Sequence, residues 1–202
     1  GRGQPQVSAL LPDVLGHLEA LVGFDTRNPP RAIGTGGIFD YLRAQLPGFE
    51  VRVTDHGAGA VSMLAVRGNP RRVFNVHLDT VPASPDWSAD PHVLRVTADK
   101  AIGLGACDIK GAAAGLVAAA NATTGDAAFL FSSDEEANDA RCIAAFLASD
   151  HGFQEAVVAE PTMCETVLAH RGISSVLMRF KGQAGHASGA DAFELSAVHQ
   201  AM

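Results

Sequence analysis

The first fifty residues carry the apolar spacing that is typical of two amphipathic helices. Between residues 8 and 23, leucines and valines recur every three or four positions, which places them on one face of a helix. This helix must end before Pro29 and Pro30, because consecutive prolines cannot continue it. A second helical pattern runs from Ile38 to Leu46 and stops at the Pro-Gly pair that follows.

From residue 49 onwards, short apolar runs typical of β-strands replace this pattern. The runs read FEVRVT (49–54), VSMLAV (61–66), VFNVHLD (73–79), AAFLFSS (127–133) and EAVVAE (155–160). Helical patterns at about 109–121 and 139–149 separate the later runs. Apolar strands that alternate with helices predict an α/β fold with helices on both faces of the sheet, and the last two strands are expected to be buried.

The character of the chain changes after residue 162. The segments 166–172 and 174–182 alternate like longer strands, and a helix is predicted from about residue 192. We therefore place a domain boundary near residues 165–175. The roughly 30 residues that follow are too few to bury a core of their own, so the second domain is expected to be incomplete in this chain.

Composition narrows the possible functions. The 202 residues include 15 Lys and Arg against 22 Asp and Glu, a net charge of −7, and no basic run interrupts this balance. An acidic surface of this kind argues against a nucleic-acid partner, and no apolar stretch is long enough to predict a membrane span. Cys107, Cys142 and Cys164 are odd in number and widely spaced, which indicates neither a disulfide framework nor a CxxC site and favours a reducing cytoplasm.

The first candidate for chemistry is the pair His77 and Asp79 at the end of a predicted strand. Residues two apart on a strand point to the same side, so the carboxylate can orient the imidazole as a metal ligand requires. Taken alone, the pair is more typical of a hydrogen-bonded histidine beside a turn aspartate.

Three more acidic sites, with five acidic residues in all, also lie at the ends of predicted elements. Asp108 lies in the glycine-rich segment GLGACDIKG at a helix start, where an N-cap is the ordinary function of aspartate. Asp134, Glu135 and Glu136 directly follow a predicted strand, and Glu160 closes another; solvated loop positions are the ordinary interpretation of both. Open α/β sheets, however, bind ligands at strand ends.

Considered together, these residues predict a metal site. One histidine and several carboxylates at the ends of different strands form a nitrogen and oxygen environment that suits Zn²⁺ or a related divalent ion. Two metal ions that share a bridging carboxylate can hold a hydroxide and polarise a carbonyl group, and a further carboxylate can act as general base. Hydrolysis of an amide bond is the reaction that this combination favours.

Six blocks of the sequence resemble the co-catalytic zinc amidohydrolases, the family of acetylornithine deacetylase, succinyl-diaminopimelate desuccinylase, aminoacylase and carboxypeptidase. In order, the blocks are HLDTVP (77–82), WSADP (87–91), GLGACDIKG (103–111), SSDEE (132–136), AEPT (159–162) and GQAGHAS (182–188). GFDTRNPP at 23–30 also resembles the start of the family. The resemblance implies a zinc-exopeptidase-like domain with a central mixed sheet between helices, and it is greatest to members that deacetylate N-acetylornithine or N-acetylcitrulline in arginine biosynthesis.

The resemblance also implies a role for each matching residue. His77, Asp108, Glu136 and Glu160 would bind two zinc ions, with Co²⁺ or Mn²⁺ as substitutes, and Asp108 would bridge them. A cis peptide bond typically follows the bridging aspartate. The proposed catalytic residues are Glu135 as general base to a metal-bound hydroxide, Asp79, which would orient His77, and His186, which would stabilise the developing oxyanion across a homodimer.

The family pattern further implies residues 1–170 as a metal-dependent catalytic domain and residues 171–202 as the beginning of a lid and dimerisation domain. Because the family supplies its last histidine ligand after the lid, the chain is expected to be truncated at its C-terminus. A desuccinylase, an aminoacylase, a dipeptidase and a catalytically incompetent fragment therefore remain alternatives at this point. A binding module on the same fold is less favoured, because Asp79 and Glu135 are not needed merely to hold a metal.

Overall fold

In the computed structural model the chain forms two compact units, Gly1–Cys164 and Glu165–Met202. The residues that it describes are 7–30, 33–137, 139–169, 171–172, 176–183, 186, 188–189 and 192–201. The assignment of the first unit to catalysis and of the second to the start of a lid stays a prediction.

A five-stranded mixed sheet forms the centre of the first unit. In chain order the strands are β1 (Glu50–Asp55), β2 (Val61–Arg67), β3 (Arg72–His77), β4 (Arg95–Val96), β5 (Ala101–Ile102), β6 (Ala127–Ser132) and β7 (Glu155–Val158). The central sheet has the order β1-β2-β6-β3-β7, with antiparallel pairs on the β1 side and parallel pairs of β3 with β6 and β7. The carboxyl ends of β3, β6 and β7 therefore meet at one edge.

Helices cover both faces of this sheet, which confirms the predicted fold class. They are α1 (Leu11–Val22), α2 (Ile38–Gln45), α3 (Gly111–Ala122) and α4 (Arg141–Leu147); the second unit adds α5 (Ala192–Leu195) and α6 (Ala197–Gln200). The main core packs α1, α2 and α3 against one set of alternating strand residues, including Phe129 and Phe131. The residues between them, such as Leu130, face the opposite side with Phe146 of α4.

A close backbone approach brings the segment before α3 next to the end of β3. Gly105 has a φ of 73°, and a Cβ atom at this position would collide with the Thr80 side chain. Only glycine combines this left-handed conformation with such proximity. The irregular turn Ala106–Lys110 that follows carries Asp108, and the peptide bond between Asp108 and Ile109 is cis, as the family resemblance implied.

Two sequence expectations differ from the structure. Strand β7 was expected to be buried, but all four of its residues are exposed, because the strand lies at the sheet edge, where β3 is its sole partner among the described residues. The alternating segments 166–172 and 174–182 were expected to be strands. Their described residues form none, since no strand lies beside them among the described residues and an extended segment needs a hydrogen-bonded neighbour. The short β4–β5 hairpin was not predicted.

The core assignment predicts the cost of removing one leucine. Leu42 of α2 is completely buried, whereas Leu147 of α4 is 66% exposed. We expect Leu42→Ala to lower the free energy of unfolding by about 2–5 kcal/mol, because the cavity adds to the lost apolar burial. Leu147→Ala is the matched control and should change it by less than about 0.5 kcal/mol. Urea denaturation measures both, and equal losses would contradict the described core.

Candidate metal centre

His77 lies at the carboxyl end of β3 with its two ring nitrogens facing different partners. Its Nε2 is 3.0 Å from Asp108 Oδ1 and 3.8 Å from Glu160 Oε1. Its Nδ1 is 3.0 Å from the main-chain oxygen of Asp79 and 3.5 Å from Asp79 Oδ1. The ring is buried. Its Nδ1 side contacts Asp79, and its Nε2 side faces the more exposed carboxylates of Asp108 and Glu160.

The surroundings of His77 determine its affinity for a proton. Burial by itself lowers the pKa of the imidazole, but the Asp79 carboxylate, through hydrogen bonding and charge, and the nearby Glu160 outweigh this effect and raise the pKa to about 9. A group of negative charges around one imidazole thus attracts positive charge to this point.

Asp79 is completely buried and connects three segments of the chain. Its Oδ2 accepts hydrogen bonds from the Glu136 main-chain N–H at 2.9 Å and from Asn28 Nδ2 at 3.0 Å. Its Oδ1 accepts from the Glu135 N–H at 3.3 Å. The Asp79 carboxylate therefore contacts the His77 ring and also holds the turn that carries both glutamates.

The structure brings His77, Asp108 and Glu136 together as a possible ligand group, with one ligand atom from each lying within 4.8 Å of the others. Burial raises the pKa of Glu136, and the negative charges of Asp108, Glu135 and Asp79 add to this effect against the opposing influence of His77. The carboxylates repel one another at this point, and a cation would relieve the repulsion.

Glu160 follows β7 and lies beside the same group. Burial raises the pKa of its carboxyl group, as do the charges of Asp108 and Glu135, while His77 opposes them. All four predicted ligands are thus near one another, although they come from segments up to 83 residues apart (77 to 160).

The predicted catalytic residues Glu135 and His186 lie in different units of the chain. The Glu135 side chain is exposed at the site, and its main chain is fixed on Asp79. His186 lies in the second unit, where its Nδ1 is 2.7 Å from Ser188 Oγ. Its role across a dimer stays a prediction.

Two residues near the site were not identified from the sequence. Asn28 contacts Asp79, and buried Lys110 donates from Nζ to the main-chain oxygen of Phe24 at 2.9 Å, which links the Asp108 turn to the segment after α1. Burial lowers the pKa of Lys110 to about 8, although Asp25 partly opposes this shift. Asn28 lies in the block GFDTRNPP and Lys110 in the block GLGACDIKG, but the spacing of residues within these blocks does not indicate that either side chain makes a buried contact.

The donor set fits a divalent metal. One neutral imidazole nitrogen and several carboxylate oxygens are the ligands that zinc sites use, and cobalt or manganese accept the same set. The carboxyl ends of parallel strands are where α/β proteins bind their ligands. Fold and site together define an α/β domain with a candidate metal centre of one histidine and several carboxylates beside its strand ends.

The chain belongs to peptidase family M20/M25/M40, whose model matches residues 73–195. This family is metal-dependent. The chain is 74% identical over 194 residues to N-acetyl-L-citrulline deacetylase of Xanthomonas campestris pv. campestris, covering 96% of this chain and 53% of that protein. It is 36% identical to acetylornithine deacetylase of Proteus mirabilis, covering 76% of this chain and 42% of that protein. The chain thus spans about half the length of these curated relatives.

Solved structures support the fold. Human carnosine dipeptidase 1 matches with a TM-score of 0.61 at 20% identity, covering 76% of this chain and 39% of the dipeptidase. The dipeptidase Dug1p of Saccharomyces cerevisiae matches with a TM-score of 0.65 at 15% identity and the same two coverages. At these identities the likeness concerns the fold alone. Among the described residues, no helix is long and apolar enough to cross a membrane.

The raised pKa of His77 predicts how metal affinity depends on pH. Because a metal ligand must be unprotonated, a bound metal has to displace the proton that His77 holds below about pH 9. We expect the association constant for Zn²⁺ to rise about tenfold per pH unit between pH 6.5 and 8.5, the slope for release of one proton. Competition with a chromophoric chelator measures it. An affinity that is constant over this range would contradict the raised pKa.

Proposed function

We propose that the protein is a metal-dependent hydrolase that removes the acetyl group from N-acetylcitrulline or N-acetylornithine, a step of arginine biosynthesis. The observation that carries this proposal is the convergence of His77, Asp108 and Glu136 in a chain that is 74% identical to an N-acetyl-L-citrulline deacetylase. The nearby Glu160 supports it, because together with His77 and Asp108 it would complete the ligand set of the first ion.

In this proposal His77 and Glu160 would hold one zinc ion, Glu136 would help to hold a second, and Asp108 would contribute to the binding of both. When bound, the ions supply Lewis-acid polarisation of the amide carbonyl and lower the pKa of water. Asp79 keeps the His77 Nδ1 side occupied, so that Nε2 faces the metal.

Glu135 is the proposed general base. Its carboxylate takes a proton from the attacking water and delivers it to the nitrogen of the leaving amine. The main-chain hydrogen bond to Asp79 fixes the position of Glu135, while its side chain stays free to meet substrate. His186 is proposed to stabilise the oxyanion, acting across a homodimer.

Metal removal and substrate choice test the proposal together. In the full-length protein loaded with Zn²⁺, we expect acetate release from N-acetyl-L-citrulline or N-acetyl-L-ornithine. Dialysis against a chelator should reduce the rate by at least about a hundredfold, because the ions supply several kcal/mol of stabilisation, and added Zn²⁺ should restore it. Faster release of succinate from N-succinyl-diaminopimelate would instead favour a desuccinylase. The chain is also similar to a protein with that name, the succinyl-diaminopimelate desuccinylase of Beijerinckia indica, at 32% identity, covering 78% of this chain and 47% of that protein.

The division of labour between the two neighbouring glutamates gives a second test. Glu135→Gln removes the proposed base but no ligand, so kcat should fall by about 10²- to 10⁴-fold while zinc content is unchanged. Glu136→Gln removes a ligand and should lower zinc content as well. Exposed Glu50 on β1 is the control, since Glu50→Gln should change neither quantity. Loss of zinc in Glu135→Gln would contradict the assignment.

A further inference from the structure

The segment after α1 runs along the chain that leaves β3. Asn28 donates its main-chain N–H to the oxygen of Thr80 at 2.7 Å, and the Thr80 N–H donates to the oxygen of Thr26 at 3.0 Å. The Thr26 hydroxyl also donates to the Leu78 oxygen at 2.7 Å. These bonds hold the segment in place without any contribution from the Asn28 side chain.

The Asn28 side chain is 2% exposed and is directed at the site. Its Nδ2 donates to Asp79 Oδ2 at 3.0 Å and lies 3.3 Å from the main-chain oxygen of Ser133. An amide nitrogen carries two hydrogens, so it can serve both acceptors at once. One amide group thus connects the carboxylate behind His77 with the start of the turn that carries the two glutamates.

The contact with Asn28 restricts how the Asp79 carboxylate can turn. Oδ2 is occupied by Asn28 Nδ2 and the Glu136 N–H, which leaves Oδ1 for the Glu135 N–H and the His77 side. Without the amide, Oδ2 would keep a single donor among these, and the carboxylate could rotate away from either partner. Partners behind metal ligands act in this way, by fixing the orientation of the ligand.

We propose that Asn28 is a positioning residue for the reaction: its buried amide orients the Asp79 carboxylate, and through it both His77 and the Glu135–Glu136 turn. The proposal deepens the proposed function and rests on it. Asparagine is the residue that the geometry requires, because a carboxylate at the same place would face Asp79 with a like charge and an alanine would leave Oδ2 without this donor.

Metal affinity and turnover of Asn28 variants test the proposal in the full-length protein. In Asn28→Ala the dissociation constant for Zn²⁺ should rise about 10- to 100-fold, and kcat should fall while KM changes less. The isosteric Asn28→Asp should weaken zinc binding and lower kcat at least as much. Because it keeps the volume of the side chain, it also serves as the test if the alanine variant does not fold.

Thr26→Val is the matched control for a merely structural role. Thr26 is as buried as Asn28 and lies in the same segment. The valine substitution removes one hydrogen bond, which the Thr26 hydroxyl donates to the Leu78 oxygen and not to Asp79. This variant should melt at a lower temperature and keep its zinc dissociation constant within about threefold. Asn28 variants that behave like Thr26→Val would overturn the positioning role.

A double-mutant cycle with Asp79→Asn isolates the connection between the two side chains. If Asn28 acts through the Asp79 carboxylate, Asn28→Ala should change zinc affinity by less than about threefold in the Asp79→Asn background. An undiminished effect there would overturn the proposal while leaving the proposed function intact. A wild-type protein that binds no zinc and releases no acetate would instead refute the proposed function, and the positioning role with it.

Discussion

The arrangement of the candidate metal centre depends on the hydrogen bonds that the buried Asp79 carboxylate accepts. Removing such a group from water costs several kcal/mol unless hydrogen bonds replace the lost hydration. Here Asn28, Glu135 and Glu136 supply the donors, and they come from two segments on opposite sides of Asp79 in the sequence. Satisfying one polar group therefore requires that the segment after α1, the end of β3 and the turn after β6 all meet, and this meeting point is where the candidate metal centre lies.

On the Nε2 side of His77, in contrast, the carboxylates of the candidate metal centre repel one another. Burial, and then the charges of Asp108, Glu135 and Asp79, raise the pKa of Glu136, and the neighbouring carboxylates raise the pKa of His77 to about 9. The group is therefore unfavourable as a set of carboxylates and favourable as a cation site. Functional sites commonly break the rules that stabilise the rest of a protein, and the main core remote from this edge is correspondingly regular.

The sequence predicted the layered sheet because periodicity records burial. Strands β2, β3 and β6 read as apolar runs, and they lie in the interior of the sheet between helices. The same argument was wrong for β7, whose apolar side chains are exposed, because a pattern reports which residues prefer burial and not whether a neighbour covers them. It was also wrong for the described residues of 166–172 and 174–182, since alternation indicates a strand only where another strand supplies hydrogen bonds.

For the site, the sequence by itself determined the residue types, and it predicted that His77 and Asp79 point to the same side, because residues two apart share one face of a strand. The strand itself ends at His77, and the pair nevertheless forms. The sequence also indicated that acidic residues end several strands. The family resemblance implied that Asp108, Glu136 and Glu160 act together with His77, but only the tertiary structure places them around one imidazole. Only the tertiary structure, too, decided that Asn28 reaches Asp79 across 51 residues of chain. Contacts of this kind depend on strand order and on the path of the connecting segments, which no local spacing records.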